Sequence, residues 1–268
     1  MITAKKSLGQ NFLKSSAVAS RMCDAAEVRK GDTVLEIGPG KGMLTKELLS
    51  RGAKVIAIEK DHRLLSHLEE TFPKEVKSKQ LEIRTGDALE LDTKKLPSDY
   101  KIVANIPYYI TGALLEYYLS APHQPEVMAL MVQKEVAHRI VGRVPSQGKS
   151  VEKESILSIS VKAYGTPTLI EKVPAKMFTP APKVDSASIL ISDISRERFD
   201  TVSEKIFFKV VKAGFSHKRK VALSNIASVF GKGITEKAFS SMGFSSKVRA
   251  EDLSIEKWLA LAEFLSED

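Results

Sequence analysis

Thr33-Val34-Leu35-Glu36-Ile37-Gly38-Pro39-Gly40-Lys41-Gly42 sets the fold class of this chain. A short β-branched, apolar run closes on glycines, and the helix-patterned stretch Met43 to Arg51 follows at once. Glycines let the backbone turn tightly and approach a ligand, and a helix N-terminus offers unpaired N–H groups to it. The spacing is Gly-x-Gly-x-Gly, not the Gly-x-Gly-x-x-Gly of dinucleotide folds. Glu36 before the turn would gain nothing from a pyrophosphate, whereas a carboxylate suits a ligand's amino-acid ammonium or its ordered waters.

Outward from this turn the same alternation continues. Lys54-Val55-Ile56-Ala57-Ile58 reads as a second strand with a helix through His67 after it. Leu81-Glu82-Ile83-Arg84, Ile102-Val103-Ala104 and Val127 to Val132 read as the third, fourth and fifth. Strands alternating with helices imply an α/β fold with a parallel sheet and right-handed crossovers. The β-rich runs Leu157 to Tyr164 and Ser186 to Ser192 are expected to pair as an antiparallel edge. Polar Val144 to Glu154, rich in Lys, Ser and Gly, reads as a mobile loop before them. From Ser192 to Arg198 the chain turns polar. Helical patterns then cover Phe199 to Lys212, Val221 to Val229, Glu236 to Met242 and Ile255 to Leu265. The expected organisation is a sheet domain over residues 1–194 and a small all-helical C-terminal domain over 195–268.

Four successive strand ends carry residues suited to one nucleoside. Gly38 closes the first. Glu59 closes the second, 21 positions after Gly38, where an acid can accept both ribose hydroxyls. Gly86-Asp87-Ala88 closes the third, with Asp87 placed either to bond an adenine amino group or to cap the turn that follows. The fourth ends in Asn105-Ile106-Pro107-Tyr108. An amide, a fixed turn with a free carbonyl and an aromatic face together fit a planar amine held by its two N–H donors.

The 268 residues allow a large and a small domain, each with a core. Lys and Arg total 41 against 33 for Asp and Glu, a net charge of +8. That excess suits a polyanion, and it also suits an ordinary basic enzyme. A single cysteine, Cys23, excludes an internal disulfide and a multi-cysteine zinc site. His62, His67, His123, His138 and His217 lack ligand spacing, so no metal is expected. No apolar run reaches membrane-spanning length and no apolar leader is evident, so a cytoplasmic protein without a membrane partner is expected.

With these residues assembled, the chain resembles the KsgA (RsmA) type of rRNA adenine N6,N6-dimethyltransferase from about Lys5 to Ser254. The markers are Leu8-Gly9-Gln10-Asn11-Phe12-Leu13, Glu36-Ile37-Gly38-Pro39-Gly40, Asn105-Ile106-Pro107-Tyr108 and Gln133-Lys134-Glu135. Further along stand Phe178-Thr179-Pro180-Ala181-Pro182-Lys183-Val184-Asp185-Ser186 and Phe215-Ser216-His217-Lys218-Arg219-Lys220. The resemblance implies a Rossmann-like methyltransferase sheet, S-adenosyl-L-methionine as donor, and cofactor contacts at Asn11, Leu13, Gly38, Glu59, Asp87 and Asn105. It also implies a monomer acting on two adjacent adenosines near the 3′ end of 16S rRNA in the small ribosomal subunit, each receiving two methyl groups, with a part in subunit maturation. The chain departs from the family at Val144 to Glu154, which is Lys/Glu-rich where relatives carry a Pro-Gly-rich loop. Glu154-Ser155-Ile156-Leu157-Ser158-Ile159 stands for their Tyr-Gly-x-Leu-Ser-Val, and Tyr109 stands where Asn is also found.

The expected acceptor site comprises Asn105, Pro107, Tyr108 and Phe178. The Asn105 oxygen and the carbonyl of Ile106 or Pro107 accept the N6 protons, and Tyr108 and Phe178 close the two faces of the base. Core packing is the competing role for Phe178. Lys218-Arg219-Lys220, Arg139, Arg143 and Lys149 are candidate phosphate contacts or simply a solvated basic surface. Rival readings are an Erm-type enzyme of 23S rRNA, a mainly structural ribosome-assembly factor, and a DNA adenine methyltransferase. The last lacks any apparent target-recognition insertion.

Overall fold

The computed structural model describes residues 2–5, 8–142 and 153–266. Two compact units emerge, residues 1–137 with 166–194, and residues 138–165 with 195–268. Residues 138–165, expected in the sheet domain, group with the helical one.

The first unit is built on a seven-stranded sheet. Its strands are β2 (Thr33–Ile37), β3 (Lys54–Glu59), β4 (Leu81–Thr85), β5 (Lys101–Asn105), β6 (Met128–Gln133), β7 (Thr166–Val173) and β9 (Ser186–Ser192), in the order β4-β3-β2-β5-β6-β9-β7. The pairs among β2 to β6 are parallel, and β9 runs antiparallel to both β6 and β7. Two short strands, β1 (Phe12–Leu13) and β8 (Phe178–Thr179), form a separate antiparallel pair. Strands covered on both faces favour apolar residues on both, and Val34, Leu35, Ile37 and Met128 to Val132 are all buried. Helix α1 (Ser16–Ala25) starts at Ser15, whose side chain accepts from the Val18 N–H, and packs Val18, Ala19, Met22 and Cys23 into the core beside α2 (Met43–Ser50). The crossovers α3 (His62–Thr71), α4 (Pro73–Lys77) and α5 (Thr111–Leu119) complete the layers, and α6 (Lys134–Val141) follows β6.

Strand order reverses between β2 and β5. A sheet of this kind opens a crevice beyond the carboxyl ends of the strands at that point, and ligands bind there.

The expected edge at Leu157 to Tyr164 is corrected by the structure, which has helix α7 (Ile156–Lys162) there. Ser155 accepts from the Ser158 N–H at 3.1 Å, and Ser158 Oγ accepts from the Ser155 N–H at 2.7 Å. This reciprocal cap starts a helix that the β-branched composition disfavours. The edge strand is instead β7, where Pro167 is tolerated because one side of an edge needs no ladder donor. Most of the loop Val144 to Glu154 lies outside the described residues.

The second unit also holds α8 (Glu204–Gly214), α9 (Ala222–Phe230), α10 (Lys232–Ser241) and α11 (Ile255–Phe264). Trp258 is fully buried, and a Cβ on Gly214 would stand 2.3 Å from its ring, so only glycine fits there. Buried Asn225 donates to the carbonyls of Gly214 at 2.7 Å and His217 at 3.1 Å. These bonds fix a turn on which Lys218, Arg219 and Lys220 are exposed. Among the described residues no helix is long and apolar enough to cross a membrane.

Candidate active site

A cleft opens at the strand ends of the first unit. Asn11, Leu13, Gly38, Glu59, Asp87 and Asn105, the six expected cofactor contacts, all line it, as do Pro107 and Tyr108. They come from five separate stretches of chain, and the sheet topology brings them together.

The glycine turn is shaped by backbone conformation and by a close neighbour. Gly38 has φ +67° and Gly40 φ +58°. A Cβ on Gly40 would lie 2.9 Å from the Phe12 ring, so the turn can pack beneath the N-terminal strap only as glycine. Glu36 behind it is 1% exposed and accepts from Thr45 Oγ1 at 2.7 Å. Burial pushes its carboxyl up to about 8, against the opposing bonds from Thr45. A cation in the cleft would restore its charge, so this acid fits a ligand ammonium. Glu59 Oε1 accepts the N–H groups of Lys60 and Asp61, both at 2.9 Å, and burial raises its pKa above the ordinary value. Those two bonds orient the carboxylate at the end of β3.

Asp87 performs the capping role that competed with ligand contact. Its Oδ1 accepts from the Leu89 N–H at 3.1 Å, and Oδ2 pairs with Lys60 Nζ at 2.5 Å. Each oxygen keeps a further lone pair on the cleft-lining residue.

Three hydrogen bonds hold the acceptor end. Asn105 Nδ2 donates to the Asn11 carbonyl at 3.1 Å. Because a carbonyl accepts only, the amide nitrogen is committed there and Oδ1 is left as the acceptor. Tyr108 shares a 2.5 Å hydrogen bond between its phenol oxygen and Oγ of the fully buried Ser186, which pins the ring from its far end. The Pro107 carbonyl accepts from the Ile110 N–H at 3.2 Å and closes the short helical turn after β5.

Phe178 does not sit with these residues. It is 2% exposed, belongs to the core of the first unit and is absent from the cleft wall. This is the core packing that competed with a place against the base, and its strand β8 pairs with β1 of the strap that carries Asn11.

Asp61 carries no sequence signal for a place in the site. Its side chain is fully buried and accepts from Lys5 Nζ at 3.2 Å, Gln10 Nε2 at 3.0 Å and Arg63 at 2.6 Å. The Arg63 guanidinium, followed by Gln10 and Lys5, holds its pKa well below the usual carboxylate range despite burial. Through Gln10 and Lys5 it latches the N-terminal strap over the cleft. Asp61 itself reads as a helix cap, and its distant donors leave no local signal. Ser186 was legible only as the end of a marker segment. Arg143 and Lys149 lie outside the described residues.

The family model for ribosomal RNA adenine dimethylase matches residues 1–267. A ribosomal RNA small subunit methyltransferase A from Dehalococcoides mccartyi is 40% identical over 266 residues, covering 97% of this chain and 88% of that protein. One of the same name from Clostridium botulinum is 38% identical, covering 96% and 92%. Among solved structures, a dimethyladenosine transferase from Plasmodium falciparum superposes with TM-score 0.74 at 26% identity, covering 93% and 95% of the two chains. The 23S rRNA methyltransferase ErmE gives 0.73 at 27%, covering 96% and 100%. The fold is therefore the Rossmann-like sheet of S-adenosylmethionine-dependent methyltransferases, and buried Glu36 and Glu59 line its cleft together with the glycine turn. On the family match over nearly its whole length, the chain belongs to the ribosomal RNA adenine dimethylases, which use S-adenosylmethionine as methyl donor.

Proposed function

We propose that the substrate is the small-subunit rRNA, with two adjacent adenosines near its 3′ end each dimethylated at N6 during subunit maturation in the cytoplasm. The names of the relatives at 36 to 40% identity support this choice over the large subunit, whose methyltransferase ErmE is 27% identical. The observation that carries the chemistry is the Asn105 amide, turned by the Asn11 carbonyl so that its oxygen is left to accept.

Adenine N6 is a weak nucleophile because its lone pair is delocalised into the ring. Asn105 Oδ1 and the carbonyl of Ile106 or Pro107 accept its two N–H bonds, which favours a tetrahedral nitrogen with its lone pair free. Tyr108, anchored by Ser186, stacks on one face of the base. Orientation and stabilisation of positive charge growing on N6 carry the step, and the proton leaves to water. S-adenosylmethionine, when bound, supplies an electrophilic methyl on its sulfonium. Asn11, Leu13 and Gly38 would hold it by backbone and strap contacts, Glu59 by the ribose and Asp87 by the adenine. The helical region, with Lys218, Arg219 and Lys220 on their exposed turn, contacts rRNA phosphates, and the enzyme acts as a monomer.

The test is to incubate the protein with labelled S-adenosylmethionine and unmethylated small subunits, large subunits or DNA, then digest. The proposal expects N6,N6-dimethyladenosine from small subunits alone. Label in the large subunit or in DNA would overturn the substrate, and no transfer to any of them would favour an assembly factor.

A further inference from the structure

Among the described residues of the first unit, two large apolar side chains are exposed, Tyr109 at 63% and Val184 at 48%. Both are chain neighbours of the pair that anchors the acceptor end. Tyr109 follows Tyr108, and Val184 stands two residues before Ser186. Tyr109 also lines the cleft. Its ring rests against the strap at Gly9, where an added Cβ would meet ring carbons at 3.3 and 3.4 Å. Gly9 has φ +61° and no side chain, so the ring has a flat seat there, and most of its surface remains in water.

An aromatic ring seated on backbone and left open at the mouth of a site needs a planar partner more than a shapeless one. We propose that Tyr109 is a stacking platform for the unpaired base adjoining the adenine under methylation. The inference rests on the proposed acceptor being an RNA strand with a base drawn into the cleft. When one base enters against Tyr108, its chain neighbour loses a stacking partner and stays at the mouth. A ring one residue from Tyr108 lies within a nucleotide's reach and offers that neighbour a replacement face. Because every base has a π-face, the contact reads no sequence. It holds the strand while the adjoining adenine is presented, which suits a substrate with two target adenosines side by side.

The experiment compares Tyr109→Ala, Tyr109→Leu, Tyr109→Phe and Tyr109→Trp. It measures KM and kcat on unmethylated small subunits and, separately, the affinity for S-adenosylhomocysteine. Loss of a base–aromatic stack corresponds to roughly 5- to 150-fold in binding, so Ala and Leu should raise KM within that range. Phe and Trp should restore the wild-type KM, and S-adenosylhomocysteine affinity should hold throughout the series. Two results would overturn the platform. Leu could match Phe, which would mean that apolar packing suffices, or cofactor affinity could fall in step with KM, which would mean that Tyr109 only props the strap. A wild-type protein inactive on small subunits would instead overturn the substrate reading. The same series, read on whichever RNA is accepted, then tests the platform.

Discussion

The two ends of the cleft are built on different principles. At the donor end, buried Glu36 and Glu59 and glycines at positive φ are each fixed by backbone or by several hydrogen bonds. At the acceptor end, Asn105 and Tyr108 each rely on one distant partner, Asn11 and Ser186, and Tyr109 stands in solvent. A small donor of constant shape rewards a rigid mould. A base extruded from a large RNA needs a site that is open when empty, with only the reacting atoms pre-aimed. The strap Leu8 to Leu13 joins the two, because Asn11 lines the cleft and also orients the Asn105 amide.

This contrast can be broken by substitutions at either end. Asn105→Ala should have the largest effect. It removes one pre-aimed acceptor from the transition state, so single-turnover transfer at saturating cofactor should fall roughly 100- to 1000-fold. Near-normal transfer by a folded variant would end the mechanism. Glu59→Gln should act on binding instead. It exchanges a charge-assisted contact for a neutral one, so calorimetry should show S-adenosylhomocysteine bound roughly 10- to 100-fold more weakly, with little change in transfer at saturation.

Asp61→Asn sharpens the strap's part with a smaller change. Asp61 titrates lower in the folded chain than in the unfolded one, so its ionic contacts stabilise the fold above the unfolded carboxylate value near pH 4. That contribution is lost as pH falls through the folded pKa. The variant should therefore be about 1–2 kcal/mol less stable than wild type at pH 7 by urea denaturation, and the gap should narrow below pH 4. A gap independent of pH would remove the ionic latch.

Much of this candidate site is legible in the sequence. Parallel strands buried on both faces read as apolar runs, and their ends stand out as the first polar or glycine residues, which points to Gly38, Glu59, Asp87 and Asn105. What escaped depends on distant pairing or on local caps. Ile156 to Lys162 carries β-branched residues, yet the reciprocal Ser155 and Ser158 cap makes it helical. Pro167 hid the edge strand β7. Phe178 sits in a Pro-rich segment whose pattern cannot distinguish a base partner from a core residue, and in the fold its ring is buried in the core. Asp61 gathers Lys5 and Gln10 from more than fifty residues away, a distance across which local patterns carry nothing.

The division of labour between the ends is tested most directly by Tyr108→Ala, with S-adenosylhomocysteine affinity and single-turnover transfer measured on the same preparation. The account predicts affinity within about threefold of wild type and transfer to small-subunit RNA reduced roughly 5- to 150-fold, the value of one lost base stack. A variant that loses donor affinity by the same factor as transfer, or loses neither, would contradict it.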